Sequence, residues 1–167
     1  MTAAERRERI YTQLTTAPVS ATALAKQFSV SRQVIVGDIA LLRATGYNII
    51  ATARGYIIPS DAGLTYRIAT SHTAQQTREE LYLMVDCGCT VQDVIVEHPV
   101  YGQLTAALQL SSRFDVDQFV EKMTTSDARP LSLLTEGIHL HTVSCPSEEV
   151  FLHLQKQLRQ AGMLWEN

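Results

Sequence analysis

The sequence has no apolar run that approaches the roughly 20 residues of a membrane-spanning helix, which excludes a helical membrane protein. Its first ten residues are charged rather than signal-like, so we expect a cytoplasmic protein without a membrane partner. Internal repeats and low-complexity segments are also missing, which argues against a repeat architecture.

Cysteine is scarce, and its three positions exclude two common small-domain scaffolds. The chain has an odd number of cysteines, at Cys87, Cys89 and Cys145. They lack the spacing of a disulfide framework or a paired zinc knuckle. We expect all three to be reduced. Cys87 and Cys89 could offer soft metal ligands, but their place at a predicted helix end favours a structural role. Cys145, before a proline, is expected in the core or a loop.

The charges are unevenly distributed along the chain. The 167 residues carry a net charge of −3, but residues 1–60 hold seven Lys and Arg against three Asp and Glu, whereas residues 61–167 hold seven against fourteen. A phosphate backbone attracts a basic module and repels an acidic one. This asymmetry indicates a DNA-reading domain over 1–60 attached to a separate sensing or dimerising domain over 61–167.

Three predicted helices open the chain. The first, over 3–16, has Ile10 and Leu14 on one face, and Ser20 is a good N-cap for the second. A short turn at 29–31 leads into the third helix. This helix has one apolar face, which we expect to pack in a core. That face comprises Ile35, Ile39 and Leu42.

A predicted hairpin follows the third helix. Residues 47–58 contain two β-rich runs around a turn that holds Arg54 and Gly55. Three helices followed by a hairpin are the order of a winged helix-turn-helix. Residues 59–63 then have the composition of a linker.

The second half alternates between strand and helix periodicity, which predicts a compact α+β domain. The fold class expected for the chain is therefore α+β, a winged helix-turn-helix followed by this domain. We predict strands over 64–71, 90–97 and 137–144, and helices over 77–87, over 116–124 and from 147 onwards.

Candidate DNA-reading residues lie at the start of the third helix and in the wing. Arg32 can pair with guanine, Gln33 with adenine, and Ser31 can cap the helix while its N-terminus faces a phosphate. Arg54 is expected to touch phosphate or the minor groove. Taken alone, these residues also fit a capped, solvated surface helix and a solvated turn, but helix order, wing and basicity favour DNA binding.

Histidines form a candidate metal site in the second half. His139 and His141 leave the same face of a predicted strand, so both imidazoles can chelate one ion. His72, at a strand end, and Glu80, on the following helix, could converge with them. Such a set favours nickel or zinc, with iron or cobalt as alternatives, over Mg or Ca. His98 could line the same cavity, or could be a loop histidine satisfied by backbone.

Motifs in both halves together resemble the nicotinate-responsive NiaR repressors and their three-histidine domain. In the first half the similarity lies in residues 31–36, 38–39, 42–44, 49–52 and 54–56. In the second half it lies in His72 with Glu80 and in residues 96–102, 111–116, 130–132 and 134–142. The pair His-Pro-Val-Tyr-Gly and Gly-Ile-His-Leu-His is the most specific part of this resemblance.

The resemblance implies a homodimeric DNA-binding repressor of genes for NAD synthesis or niacin uptake, with nicotinic acid as co-repressor. It also implies that the metal ligands are His72, Glu80, His139 and His141. One position departs from the family pattern: Gly37 stands where a longer polar residue is usual on the recognition helix. Gly37 removes a possible DNA contact, so the operator preference of the family is not carried over to this position.

The nicotinate hypothesis assigns further residues. The pyridine nitrogen would coordinate an open metal position while the carboxylate meets Arg113 or a backbone donor, and His98 and Tyr101 would help to form the site. Two alternatives are a metal sensor without an organic effector and a DNA-tethered, metal-dependent enzyme. The helix-turn-helix weighs against the enzyme, so we expect no catalytic residues.

Overall fold

The computed structural model of the chain describes residues 1–60 and 63–166. The chain folds into two compact units, Met1–Asp61 and Ala62–Asn167. The expected linker over 59–63 includes Asp61 and Ala62, which lie outside the described residues. In the described part of the chain, no helix combines the length and hydropathy that crossing a bilayer requires.

The first unit is a winged helix-turn-helix, as predicted. Ser20 and Ser31 cap the second and third helices by accepting hydrogen bonds from the backbone N–H groups of Ala23 and Val34. Val19 pairs with Tyr56 and so adds a short third segment to the wing. Its elements are α1 (Ala3–Gln13), α2 (Ala21–Phe28), α3 (Arg32–Ala44), β1 (Ile50–Thr52) and β2 (Gly55–Ile57).

The first helix is three residues shorter than the expected range of 3–16. Leu14 already has an extended backbone and bonds back to the carbonyl of Tyr11. The Thr15 hydroxyl then accepts from the N–H of Ala17, which holds a turn. Pro18 disfavours helical geometry at the residue before it, so the chain leaves the helix early.

The core of the first unit uses the predicted apolar faces. Each of its buried leucine and isoleucine side chains contributes about 1.5–3 kcal/mol relative to exposure. A partly buried ion pair also joins α1 to α3: the Arg6 Nε donates to Asp38 Oδ2 at 2.6 Å. The buried set is Ile10, Leu14, Ala21, Leu24, Ala25, Ile35, Ile39, Leu42 and Ile49.

The second unit is an α+β domain built on antiparallel strands, which confirms the predicted fold class. In this unit the strands pair in the order β5-β4-β6-β3, and α4 contacts α5, α6 and β4. Its strands are β3 (Leu64–Ser71), β4 (Thr90–His98), β5 (Gly102–Leu110) and β6 (Ile138–Cys145). Its α-helices are α4 (Thr77–Asp86), α5 (Arg113–Thr125) and α6 (Glu148–Gln160), with short 3₁₀ helices at Ala74–Gln76 and Leu131–Thr135.

Strand β5 is the element that the sequence pattern did not reveal. Its residues include two alanines and two glutamines, which are weak strand formers, so propensity gives little signal. The preceding turn was the available clue, because three residues, 99–101, separate β4 from Gly102 at the start of β5. A loop of this length before glycine is typical of a hairpin.

The cysteines take the structural role that we expected. Cys89 and Cys145 are buried with their Sγ atoms 2.7 Å apart, next to the paired residues Thr90 and Ser144 of β4 and β6. Burial raises the pKa of the Cys89 thiol. Cys87 caps the end of α4, and all three are free thiols.

Two glycines, one in the interior of α3 and one just after it, should respond in opposite directions to alanine. At Gly37 an added Cβ meets nothing within 4 Å, so Gly37→Ala should raise the free energy of unfolding by about 1 kcal/mol through helix propensity. Gly46 has φ +99°, a left-handed conformation, so Gly46→Ala should lower it by about 1 kcal/mol. Urea denaturation measures both, and a stability change of the same sign would contradict this account.

Candidate metal centre and DNA-binding surface

The four predicted metal ligands converge in the interior of the second unit. The antiparallel pairing of β3 with β6 places Thr70 opposite His139 and brings the end of β3 beside them. His72 follows β3, and Glu80 lies in the first turn of α4. The side chains of Glu80 and its histidine partners are at most 3% exposed.

Glu80 is the centre of this cluster. Its Oε2 lies 2.6 Å from the Nε2 of His72. Its Oε1 lies 3.2 Å from the Nε2 of His139 and 3.3 Å from that of His141. The ligand atoms of His72, Glu80 and His139 all lie within 4.8 Å of one another, so these buried residues could hold a metal ion.

Backbone carbonyls orient all three imidazoles. The Nδ1 atoms of His72, His139 and His141 lie 2.7, 2.8 and 2.6 Å from the carbonyl oxygens of Thr73, Gly137 and Asp93. A carbonyl only accepts, so each Nδ1 carries a proton and donates it. In a neutral imidazole, the opposite Nε2 then presents a lone pair to the centre of the cluster. This is the arrangement found in metal-ligating histidines.

Local backbone irregularities create these acceptors. The register between β4 and β6 shifts between Val91 and Ile95, and within this stretch the Asp93 carbonyl accepts from His141. Gly137 has φ +95°, and a Cβ there would lie 2.7 Å from the carbonyl oxygen of His72. A glycine is therefore needed where β6 begins beside the end of β3.

The electrostatics of the cluster favour an ionised carboxylate. Burial raises the pKa of Glu80, but His141, His139 and His72 outweigh that effect and hold it well below its usual range. Burial lowers the pKa of His72 and His141, but the Glu80 carboxylate raises both by more. The pKa of each imidazole therefore lies above its ordinary value.

The donor set fits a transition metal ion. Lone pairs on Nε2 and on a carboxylate repel each other unless a proton or a cation lies between them, and the buried His141 Nε2 has no hydrogen-bond partner among the described residues. Ligands of a tetrahedral ion with bonds of about 2.0–2.1 Å lie roughly 3.3 Å apart. Two of the three imidazole–carboxylate distances, 3.2 and 3.3 Å, match this spacing.

Thr70 is a member of the cluster that the sequence analysis did not single out. Its buried hydroxyl lies 2.6 Å from Glu80 Oε1 and 3.1 Å from His139 Nε2. The available signal was its position two residues before His72, since alternate residues of a strand share a face. Asp93 could not be found in this way, because its contribution is a backbone carbonyl.

A cavity adjoins the cluster. Its volume is about 40 Å³, and the four predicted metal ligands form part of its wall. The rest is mostly apolar, with Thr77 and Ser132 as further polar residues. The apolar lining is Leu81, Val94, Leu108, Phe119, Met123, Pro130 and Leu131.

The three residues predicted to bind a ligand are absent from the described lining of this cavity. His98 Nδ1 accepts from the N–H groups of Val100 and Tyr101 and so closes the β4–β5 turn, while the Tyr101 side chain is exposed. The Arg113 side chain is exposed and bonds to residues outside the cavity. Its guanidinium donates to both carboxylate oxygens of Asp86 and lies over the Tyr82 ring. The expected contact between Arg113 and a ligand carboxylate is therefore not provided in this cavity.

The DNA-reading candidates lie at the N-terminal end of α3 and in the wing. Arg32 and Gln33 are exposed in the first turn, where Ser31 is the N-cap. Arg54 is half-buried in the turn between β1 and β2. Thr52 holds this turn, since its hydroxyl accepts from the N–H groups of Arg54 and Gly55. These positions match those used by recognition helices and wings.

Comparisons with known proteins cover both units. A 3H domain model matches residues 65–167, and an HTH domain model matches residues 6–57. The "Probable transcription repressor NiaR" of Thermotoga maritima is 44% identical over 150 residues, which cover 89% of this chain and 86% of that protein. The "Transcription repressor NadR" of Bacillus subtilis is 45% identical over 152 residues, which cover 88% and 84%.

Glu80 and its neighbour Glu79 form a matched pair for testing the cluster. At 100 times its dissociation constant, a bound nickel or zinc ion should stabilise the chelator-treated protein by about 2.7 kcal/mol. Glu80→Gln keeps the shape but removes the anionic oxygens, so most of this gain should be lost. The exposed Glu79→Gln variant should retain it. Thermal unfolding with and without the ion measures both, and equal stabilisation of the two variants would exclude Glu80 as a ligand.

Proposed function

The chain belongs to the NiaR family of transcription repressors, and on that premise we propose that it represses genes of NAD synthesis or niacin uptake with nicotinic acid as co-repressor. The cavity that shares a wall with the histidine cluster carries this proposal. It offers an apolar surface for a small aromatic ring next to a group of metal-ligating side chains.

We assign the DNA operator to residues 1–60 and the metal and effector to residues 61–167. Ser31 caps the recognition helix, Arg32 pairs with guanine and Gln33 with adenine. Arg54 contacts phosphate or the minor groove. The exposure of Arg32 and Gln33 at the start of α3 supports these roles.

His72, Glu80, His139 and His141 hold a divalent transition metal ion, with nickel or zinc favoured and iron or cobalt as alternatives. When bound, such an ion supplies positive charge and an open coordination position. The three imidazoles are fixed by backbone carbonyls, and Thr70 donates to Glu80. The side chains are therefore preorganised, and little ordering accompanies metal binding.

The DNA-binding form is a homodimer whose two recognition helices enter successive major grooves, about 34–36 Å apart. Nicotinic acid favours the dimer geometry with this spacing. Because coupling between two sites is reciprocal, operator DNA and nicotinic acid then raise each other's affinity.

A metal sensor without an organic effector is the second candidate, since the buried cluster alone could stabilise the DNA-binding form. A metal-dependent enzyme is not retained, because the similar proteins are named transcription repressors. The two sensor models differ in what restores DNA binding after chelation.

Nicotinate and the metal should both be required for tight operator binding. The assay is fluorescence anisotropy with a DNA duplex that the metal-loaded protein has selected from a random library in the presence of nicotinate. Chelation should weaken binding, and nickel or zinc together with nicotinate should restore it by at least about fivefold over metal alone, the low end of allosteric coupling. Full recovery with metal alone favours the metal sensor and contradicts the co-repressor proposal.

Removal of Arg32 should weaken binding to the same duplex. We expect Arg32→Ala to lose about 1–3 kcal/mol of binding free energy and to relax the preference for one guanine. The matched control is Arg129→Ala, an exposed arginine of the second unit. If both variants lose affinity equally, the effect is nonspecific and Arg32 does not read a base.

A further inference from the structure

The polar groups around the cavity are few, which restricts how a ligand can be held. The described lining residues include neither lysine nor arginine. Apart from the four-residue cluster, the polar side chains are the hydroxyls of Thr77 and Ser132. An acid bound here therefore finds no cationic side chain in the wall.

The Thr77 hydroxyl stands out among these groups. Its Oγ1 is buried and has no hydrogen-bond partner among the residues that the structure describes. A buried hydroxyl without a partner is unfavourable, because it has lost its hydrogen bonds to water. The buried His141 Nε2 also lacks a partner among the described residues, but it presents a lone pair to the cluster, whereas the Thr77 hydroxyl can donate to a ligand.

Helix geometry places Thr77 next to the cluster. Thr77 and Glu80 are three residues apart on α4, so they share a face with their Cβ atoms about 5–6 Å apart. Both line the cavity. This separation is comparable to the width of a substituted six-membered ring, so one ligand can reach both residues.

Charge decides which end of a pyridine carboxylate approaches each group. A carboxylate among apolar side chains with only neutral donors pays a large desolvation cost. The cluster is the part of the wall where a divalent cation offsets that cost. The ring nitrogen is a neutral acceptor and matches a hydroxyl donor.

We propose that the Thr77 hydroxyl donates a hydrogen bond to the ring nitrogen of the effector and thereby selects a pyridine carboxylate over a benzene carboxylate. The orientation is opposite to the one expected from sequence, in which the ring nitrogen met the metal and Arg113 met the carboxylate. This inference rests on the proposed effector function and adds the residue that would confer specificity.

The test compares two ligands on two forms of the metal-loaded protein. Calorimetry should show that the wild type prefers nicotinate over benzoate, because benzoate leaves the hydroxyl unpaired. Thr77→Val should reduce nicotinate affinity about 10-fold, a change of about 1.4 kcal/mol, and leave benzoate affinity nearly unchanged. Thr77→Ser, which keeps the hydroxyl, should retain the preference. Thr105→Val, at an exposed position of β5, is the matched control.

A second measurement separates this role from a structural one. Because Thr77 Oγ1 bonds to no described residue, Thr77→Val should leave the melting temperature of the ligand-free protein unchanged or raise it. Metal affinity should also stay unchanged. A lower melting temperature would mean that the hydroxyl serves the fold and would overturn the inference.

The remaining outcomes distinguish the inference from the proposed function. If the wild type binds nicotinate and Thr77→Val binds it equally well, the role of Thr77 is wrong and the co-repressor stands. Equal losses for nicotinate and benzoate would indicate a change of shape rather than a lost hydrogen bond, and would also overturn it. If the wild type binds no nicotinate, both proposals fail.

Discussion

The convergence of three imidazoles on one buried carboxylate is the constraint on which the second unit depends. An ionised carboxylate in a protein interior is costly unless it is paired. Here the pKa of Glu80 stays well below its usual range because His141, His139 and His72 surround it. The carbonyls that bind the Nδ1 atoms fix the direction of each ring. The backbone and the charge balance therefore specify one geometry, and neither would maintain it alone.

This geometry also explains why the sheet is irregular at that place. Strand β6 carries His139 and His141 on one face, and its neighbours β3 and β4 supply Thr70 and the Asp93 carbonyl. A regular ladder would engage the Asp93 carbonyl with a backbone N–H. The register shift between Val91 and Ile95 occurs where that carbonyl accepts from His141 instead. The domain gives up regular pairing locally and gains an oriented His141 imidazole.

The sequence predicted those parts that depend on local periodicity and capping. The serine caps, the apolar face of α3 and the α+β class follow from spacing alone, and the convergence of the histidines was inferred from strand alternation and the family pattern. Strand β5 was missed because its alanines and glutamines have weak strand propensity. Arg113 was assigned to the ligand by its charge, but its guanidinium pairs with Asp86, a partner 27 positions away. That the Thr77 hydroxyl bonds to no described residue depends on tertiary packing, so no sequence pattern reveals it.

The composition of the cavity has a consequence for how metal and effector are linked. Because the described wall contains no lysine or arginine, any acid that enters depends on the metal-binding cluster for compensating charge. The affinity for an acid should therefore decrease when the metal is removed. The affinity for a neutral analogue such as an amide should decrease less. An arginine in the wall would make acid binding independent of the metal, since it would bind the acid without the ion. With apolar residues there instead, the proposed co-repressor model requires the ion and the acid together.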